Sequence, residues 1–333
     1  MKAAQLLKYD KNAKLRINEL PIPEINDNEV LVKVKVAAVN PLENLITTGS
    51  VKLIQDYKLP AIMGNELTGV IEKVGSSVKD FKTGDKIYTR LPLNKIGAFA
   101  EYVAVDHNAI ALLPSNLDFS TGAAAPLTGL TAYQGLHEEL NAEAGKTIFI
   151  PGGSGSFGQM AVPIAKQLGL KVIVSGNARS REQVMSIGAD QYLDYKTENY
   201  WDILRNVDYV IDTLGAKEID RELSIMKPGG RLLSLKAGPN KQFAIDHHLP
   251  AWKKFLFSLV GRKIDKKANA AGIEYHFIFV RGDGKQLQEI TKIIEQNNIV
   301  PAIDSKEFKL ADINEAINYM TTGHPKGKVL IHF

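Results

Sequence analysis

The chain has 333 residues, room for two domains, and 44% hydrophobic against 23% charged residues excludes wholesale disorder. It contains no cysteine, which excludes disulfides, cysteine-held zinc, iron–sulfur clusters and thiol nucleophiles and permits a reducing compartment. A net charge of +4 is a mild excess that does not predict nucleic-acid binding, and no apolar run approaches the roughly 18 residues of a membrane span, so a cytoplasmic protein is expected.

Residues 29–39 alternate, with Val30, Val32, Val34 and Val36 on one face and Lys33 and Lys35 on the other. Similar short runs at 67–74, 84–89 and 99–105, divided by Gly, Pro, Ser and Asp, give the first third the pattern of an antiparallel barrel or sandwich. Near residue 120 the period changes. Strands are expected at 146–150, 171–175, 191–194, 209–213, 231–235 and 275–280, with helices at 156–168, 180–187 and 216–226 between them. Such alternation implies parallel strands joined by crossover helices. Pro163 falls inside the first of these helices, which the regular apolar spacing nevertheless supports, and a kink is expected there. The tail reads as helices at 284–296 and 310–321 and a final strand at 328–332.

The first strand of the alternating region runs into Pro151-Gly152-Gly153-Ser154-Gly155-Ser156-Phe157-Gly158, in which Gly153, Gly155 and Gly158 fit G-x-G-x-x-G. Between a strand and a helix this pattern is a dinucleotide fingerprint: glycines turn tightly and leave no β-carbon between backbone and pyrophosphate, and the helix N-terminus meets the phosphate charge. An NAD-preferring site would carry an acid at the end of the next strand. Here that place reads Ser175-Gly176-Asn177-Ala178-Arg179-Ser180-Arg181. Two arginines and small polar groups suit a 2′-phosphate, so the expected cofactor is NADPH, with Ser175 and Arg179 on that phosphate.

Further segments carry a resemblance: Val39-Asn40-Pro41, Gly64-Asn65-Glu66-Leu67-Thr68-Gly69, Gly97-Ala98-Phe99-Ala100-Glu101-Tyr102, Pro126-Leu127-Thr128-Gly129-Leu130-Thr131-Ala132-Tyr133, Gly188-Ala189-Asp190, Asp212-Thr213-Leu214-Gly215 and Gly327-Lys328. Over nearly its whole length the chain resembles a zinc-free medium-chain dehydrogenase/reductase of the quinone oxidoreductase and alkenal/enone reductase group. The resemblance implies a GroES-like, mainly-β catalytic domain from 1–122 and 284–333, and a Rossmann domain with a doubly wound parallel sheet at 123–283. It implies Asn40 and Thr128 near the nicotinamide and the backbone of the glycine loop, Ser156 and Phe157 included, on the pyrophosphate. It also places Tyr195 near the adenosine end, with Leu214, Ala237, Phe277, Phe279 and Lys328 as remaining cofactor contacts.

Two departures stand out. Zinc enzymes of this superfamily use Gly-His-Glu with cysteine ligands, whereas here the histidine position is Asn65 and cysteine is absent, so no metal is expected. Where relatives often place a tyrosine shortly after a glycine, this chain has Gly49-Ser50-Val51, and the nearest is Tyr57. The implied activity is metal-free hydride transfer from NADPH to a quinone or an α,β-unsaturated carbonyl, with Asn40 and Tyr57 as catalytic candidates and water as an alternative proton donor. A homodimer is expected. An NADPH-binding regulatory or RNA-binding role with vestigial catalysis, and an enoyl-thioester reductase, stay open as alternatives. The basic, aromatic stretch 250–267 reads as a lid, a membrane or partner contact, or a surface helix.

Overall fold

The computed structural model describes all 333 residues, which fall into two units: Met1–Leu130 with Arg281–Phe333, and Thr131–Val280. The chain enters through β1 (Lys2–Leu6), β2 (Arg16–Glu19) and the long β3 (Glu29–Val39). In β3 the four alternating valines are buried and Lys33 is exposed, so the period of two sets which face meets the core. A short helix α1 (Pro41–Thr47), with proline in its first turn, leads to β4 (Ala61–Ile62), which pairs with β1. Then β5 (Glu66–Val74), β6 (Lys86–Arg90), β7 (Tyr102–Asp106) and β8 (Ile110–Leu112) join β3 in an antiparallel sheet. Two helices, α2 (Phe119–Ala123) and α3 (Pro126–Gln134), follow.

The second unit alternates. Its elements are β9 (Thr147–Ile150), α4 (Ser156–Gln167), β10 (Lys171–Gly176), α5 (Arg181–Ser186), β11 (Gln191–Asp194), α6 (Tyr200–Ile203), β12 (Val207–Asp212), α7 (Ile219–Ile225), β13 (Met226–Ser234), α8 (Lys241–Asp246), α9 (Ala251–Ala270) and β14 (Glu274–Phe277). All six strands are parallel, in the order β11-β10-β9-β12-β13-β14, so the sheet is wound outward in both directions from β9 and β12. Every residue of β12 is buried, as expected of a strand covered on both faces. Helix α4 runs unbroken through Pro163. The first unit resumes with α10 (Gly284–Gln296), β15 (Ile303–Lys309), α11 (Ile313–Thr322) and β16 (Lys328–His332), which pairs antiparallel with β3.

Three differences from the sequence reading have physical causes. The helix expected at 216–226 starts at Ile219, and β13 takes Met226 onward, because Met226 pairs with Val207 of β12. β15 has no counterpart among the expected strands, because only Asp304 and Phe308 of its seven residues are buried and its sequence shows no apolar alternation. The stretch 250–267 lies within the 20-residue helix α9, which buries Phe257, Gly261 and Ala268 and leaves Trp252, Phe255, Leu259 and Val260 exposed.

Candidate active site

In the second unit the sequence-selected residues gather at the carboxyl ends of the parallel strands. β9 ends at Ile150 and the chain turns through Gly152, whose φ of +66° lies in the left-handed region open to glycine. A β-carbon on Gly158 would lie 1.8 Å from the Gly153 carbonyl oxygen, so only glycine lets α4 approach the turn this closely. Gly155 is different: it precedes α4 in extended conformation, is exposed, and a β-carbon there would meet no atom within 4 Å. No side chain caps α4, so its first N–H groups and the positive end of its dipole stay available to an anion. Ser154, Ser156 and Phe157 are half-buried along the same turn.

Neighbouring strands hold this turn. Ser175, buried at the end of β10, accepts from Gly152 N–H at 3.4 Å, and Thr213 Oγ1 donates to the Pro151 carbonyl at 2.6 Å. Past β12, the fully buried Asp212 carboxylate accepts from Leu214 N–H and Gly215 N–H, both at 2.7 Å, and from Ser234 Oγ at 2.5 Å. Ser234 Oγ in turn accepts from Ala237 N–H at 2.7 Å. Phe277 lies opposite Ser234 in the register of β14 and packs edge-on against Phe243, while Phe279 follows the strand half-buried. Leu214, Ala237 and Phe277 are thus tied into one network, organised by Asp212 and Ser234. Neither of these two was singled out from the sequence as a site residue, although Asp212 opens the segment Asp212-Thr213-Leu214-Gly215 that carries the resemblance; the signal of Ser234 was a polar group closing an apolar strand.

At the far end of β10 the two arginines differ. Arg181 pairs with Glu198 at 3.2 Å and lies 5.3 Å from the Tyr192 ring centroid. Arg179 is exposed in the turn after the strand and makes no hydrogen bond or ion pair within the protein. Tyr195 is exposed as well, its N–H bonded to the Gly176 carbonyl at 3.1 Å. No acid stands at the end of β10.

The first unit holds a buried polar cluster. Glu66 on β5 accepts through Oε1 from Asn40 Nδ2 at 2.9 Å and from Lys328 Nζ at 2.8 Å, and through Oε2 from Leu127 N–H at 2.7 Å. Glu43 on α1 accepts through Oε2 from Asn40 N–H and through Oε1 from Asn65 Nδ2, both at 2.6 Å. Burial raises the Glu43 carboxyl to about 7, against the pull of those two donors. Tyr57 is buried, and desolvation pushes its phenol up to about 12 despite the Arg90 charge nearby. Arg90 itself is lowered to about 10 by burial, its Nε without a partner. Thr128, half-buried on α3, bonds back to the Ala124 carbonyl at 3.1 Å. The structure therefore joins Asn40 to Lys328 through Glu66 and to Asn65 through Glu43, and it commits Lys328 to Glu66.

Residues 26–115 match the family described as alcohol dehydrogenase GroES-like domain, and residues 187–331 match zinc-binding dehydrogenase. The chain is similar to a 2-methylene-furan-3-one reductase of Solanum lycopersicum, with 30% identity over 342 residues that cover all of this chain and 79% of the relative. It is similar to a chloroplastic NADPH-dependent alkenal/one oxidoreductase of Arabidopsis thaliana, with 31% identity over 95% of this chain and 75% of that one. In structure it is similar to the quinone oxidoreductase from Coxiella burnetii, with a TM-score of 0.80, 25% identity and coverage of 100% and 99%.

The zinc of the second family description does not fit these residues. There is no cysteine, the oxygens of Glu43 and Glu66 are taken by N–H donors, and no group of three His, Cys, Asp or Glu side chains converges anywhere in the chain.

Proposed function

Because the chain belongs to the quinone and alkenal/one oxidoreductase group of the zinc-free medium-chain dehydrogenases/reductases, we propose that it is an NADPH-dependent oxidoreductase that reduces a quinone or the C=C bond of an α,β-unsaturated carbonyl. The observation that carries this reading is the convergence of the glycine turn, the Asp212 turn and the unpartnered Arg179 at the carboxyl ends of parallel strands, where such sheets take dinucleotides.

The second unit would hold the nucleotide. The N–H groups of the glycine turn and α4 meet the pyrophosphate, and Arg179 takes the 2′-phosphate together with Ser175, whose Oγ also accepts from Gly152 N–H of the turn. The bound cofactor supplies the hydride. Asn40 and Thr128 are proposed to orient the nicotinamide. Asn40 is well suited to this because its side chain is fixed by Glu66 and its backbone by Glu43. In conjugate reduction, charge on the acceptor spreads into an enolate or a quinone ring, so N–H and O–H donors stabilise it where an isolated carbonyl would call for a Lewis acid. Tyr57, its phenol raised to about 12, keeps its proton across neutral pH and is the proposed donor, with water as the alternative.

The test is an NADPH-oxidation screen over quinones, enals, enones and enoyl thioesters, repeated with NADH. Turnover with NADPH preferred supports the reading; no turnover on any acceptor, or preference for NADH, overturns it. A cytoplasmic homodimer is proposed as well. The homodimer is supported by β14, whose outer edge pairs with no strand of this chain, and mass measurement in solution tests it; cell fractionation tests the location.

A further inference from the structure

Asn65 Oδ1 is fully buried and has no hydrogen-bond partner, while the other end of the same carboxamide donates to Glu43 at 2.6 Å. A buried acceptor left empty is costly, and a functional role is one of the reasons a fold keeps one. The two ends of a carboxamide have nearly the same shape, so a half-turn of the Asn65 side chain exchanges donor and acceptor without disturbing its neighbours. Ionised Glu43 can only accept, which is the arrangement seen. A protonated Glu43 has an O–H to give, and Asn65 Oδ1 is the partner within reach after the half-turn. Its two N–H donors then stand where the orphan oxygen was.

We propose that Glu43 and Asn65 form a proton-coupled amide switch, in which a proton taken from solvent by Glu43 turns Asn65 so that it presents N–H donors, in place of a carbonyl oxygen, to the oxygen of the acceptor being reduced. The inference rests on the proposed reductase reading, through Asn40: Glu43 binds both the Asn40 backbone and the Asn65 side chain. Glu43 is a positioning residue and Asn65 the group that meets the acceptor.

Burial sets the Glu43 carboxyl near 7, so the switch works across neutral pH. The groups that face it do not confuse the assignment. Arg90 on β6, lowered to about 10, stays charged, and Tyr57, raised to about 12, stays neutral. Glu66 on β5 is held by three donors, one of them Lys328 of β16. Tyr9 is bonded to Asp56, and on α11, which packs on α1, Glu315 pairs with Lys306.

Two readouts test the switch from pH 6 to 9. The first uses no activity: the side-chain N–H resonances of Asn65, assigned by their loss in Asn65→Ala, should shift with a midpoint near 7 and lose that shift in Glu43→Gln. The amide that Glu43→Gln introduces donates to Asn65 Oδ1 at every pH. The second is the pH profile of kcat/KM with NADPH saturating. The wild type should fall about tenfold per pH unit above the midpoint, and Glu43→Gln should lose this limb. Asn65→Ala should fall by about 10²-fold at pH 6 with NADPH affinity kept within about threefold. A pH-independent Asn65 resonance, or an alkaline limb that survives in Glu43→Gln, overturns the switch. A titrating resonance in a protein that reduces no acceptor overturns the reductase reading and with it the role of Asn65 toward an acceptor, and leaves only the proton coupling of Glu43 to Asn65 standing.

Discussion

Arg179 and Arg181 are two positions apart and identical in kind, yet only one is free to take a new anion. Arg181 is spent on Glu198 and the Tyr192 ring, whereas Arg179 has no partner. A guanidinium on a phosphate contributes roughly 1.5–3 kcal/mol as charged hydrogen bonds. Arg179→Ala is therefore expected to raise KM for NADPH by about 10–100-fold and leave KM for NADH within about twofold, whereas Arg181→Ala should change both little. Steady-state kinetics with the two nucleotides check this, and equal losses with both would remove Arg179 from the 2′-phosphate. Asp212 has the opposite character: fully buried, it accepts from Leu214, Gly215 and Ser234. Asp212→Ala strands those donors and is expected to destabilise the protein by about 3 kcal/mol or more, read by chemical denaturation. The arginine pair was visible as a charge pattern without an acid. The difference between its members was not, because it depends on Glu198, 17 residues beyond Arg181.

At the scale of the element, the strand–turn–helix from β9 to α4 separates two uses of glycine. Gly158 is needed by the fold, since its β-carbon would overlap the Gly153 carbonyl. Gly155 opens on empty space and is needed only if a ligand comes close. Gly158→Ala is expected to lower the melting temperature by several degrees without nucleotide, as overpacking costs about 1–3 kcal/mol. Gly155→Ala should leave that temperature unchanged and reduce the rise produced by NADPH, because linkage scales with affinity. Thermal melting with and without NADPH distinguishes the two, and an undiminished NADPH shift in Gly155→Ala would argue against close approach at this turn. The element itself was legible: a β-rich run, a glycine pattern and helical spacing in sequence predict it. α1 was not, since seven residues opened by proline show no apolar period.

For the whole molecule, two buried acids tie stability to pH. Glu222 is fully buried beside Asp212, and burial, together with the Asp212 charge and a hydrogen bond to Asp212 that only the protonated carboxyl can donate, raises it to about 10. In the unfolded chain it ionises near the ordinary 4.5, so the folded state holds an extra proton between those values and stability falls as pH rises through that window, by up to about 1.4 kcal/mol per unit. Glu43 adds a decline of the same sign from 4.5 to about 7. Denaturation at pH 6 and pH 8 should show the wild type weaker at the higher pH, and Glu222→Gln should recover about 1–3 kcal/mol of the difference. A flat wild-type profile would place both acids in contact with solvent. The sequence alone determined the mainly-β beginning, the parallel alternating region, the dinucleotide turn and the lack of zinc ligands, because each is written in local spacing or in residue types present or missing. Only the tertiary structure decided which polar residues work together. Glu43, Asn65, Glu66, Arg90 and Lys328 come from α1, β5, β6 and β16 or the turns beside them, and a buried charge shows its meaning only once its partners, up to 262 residues away in the Glu66–Lys328 pair, have been folded against it.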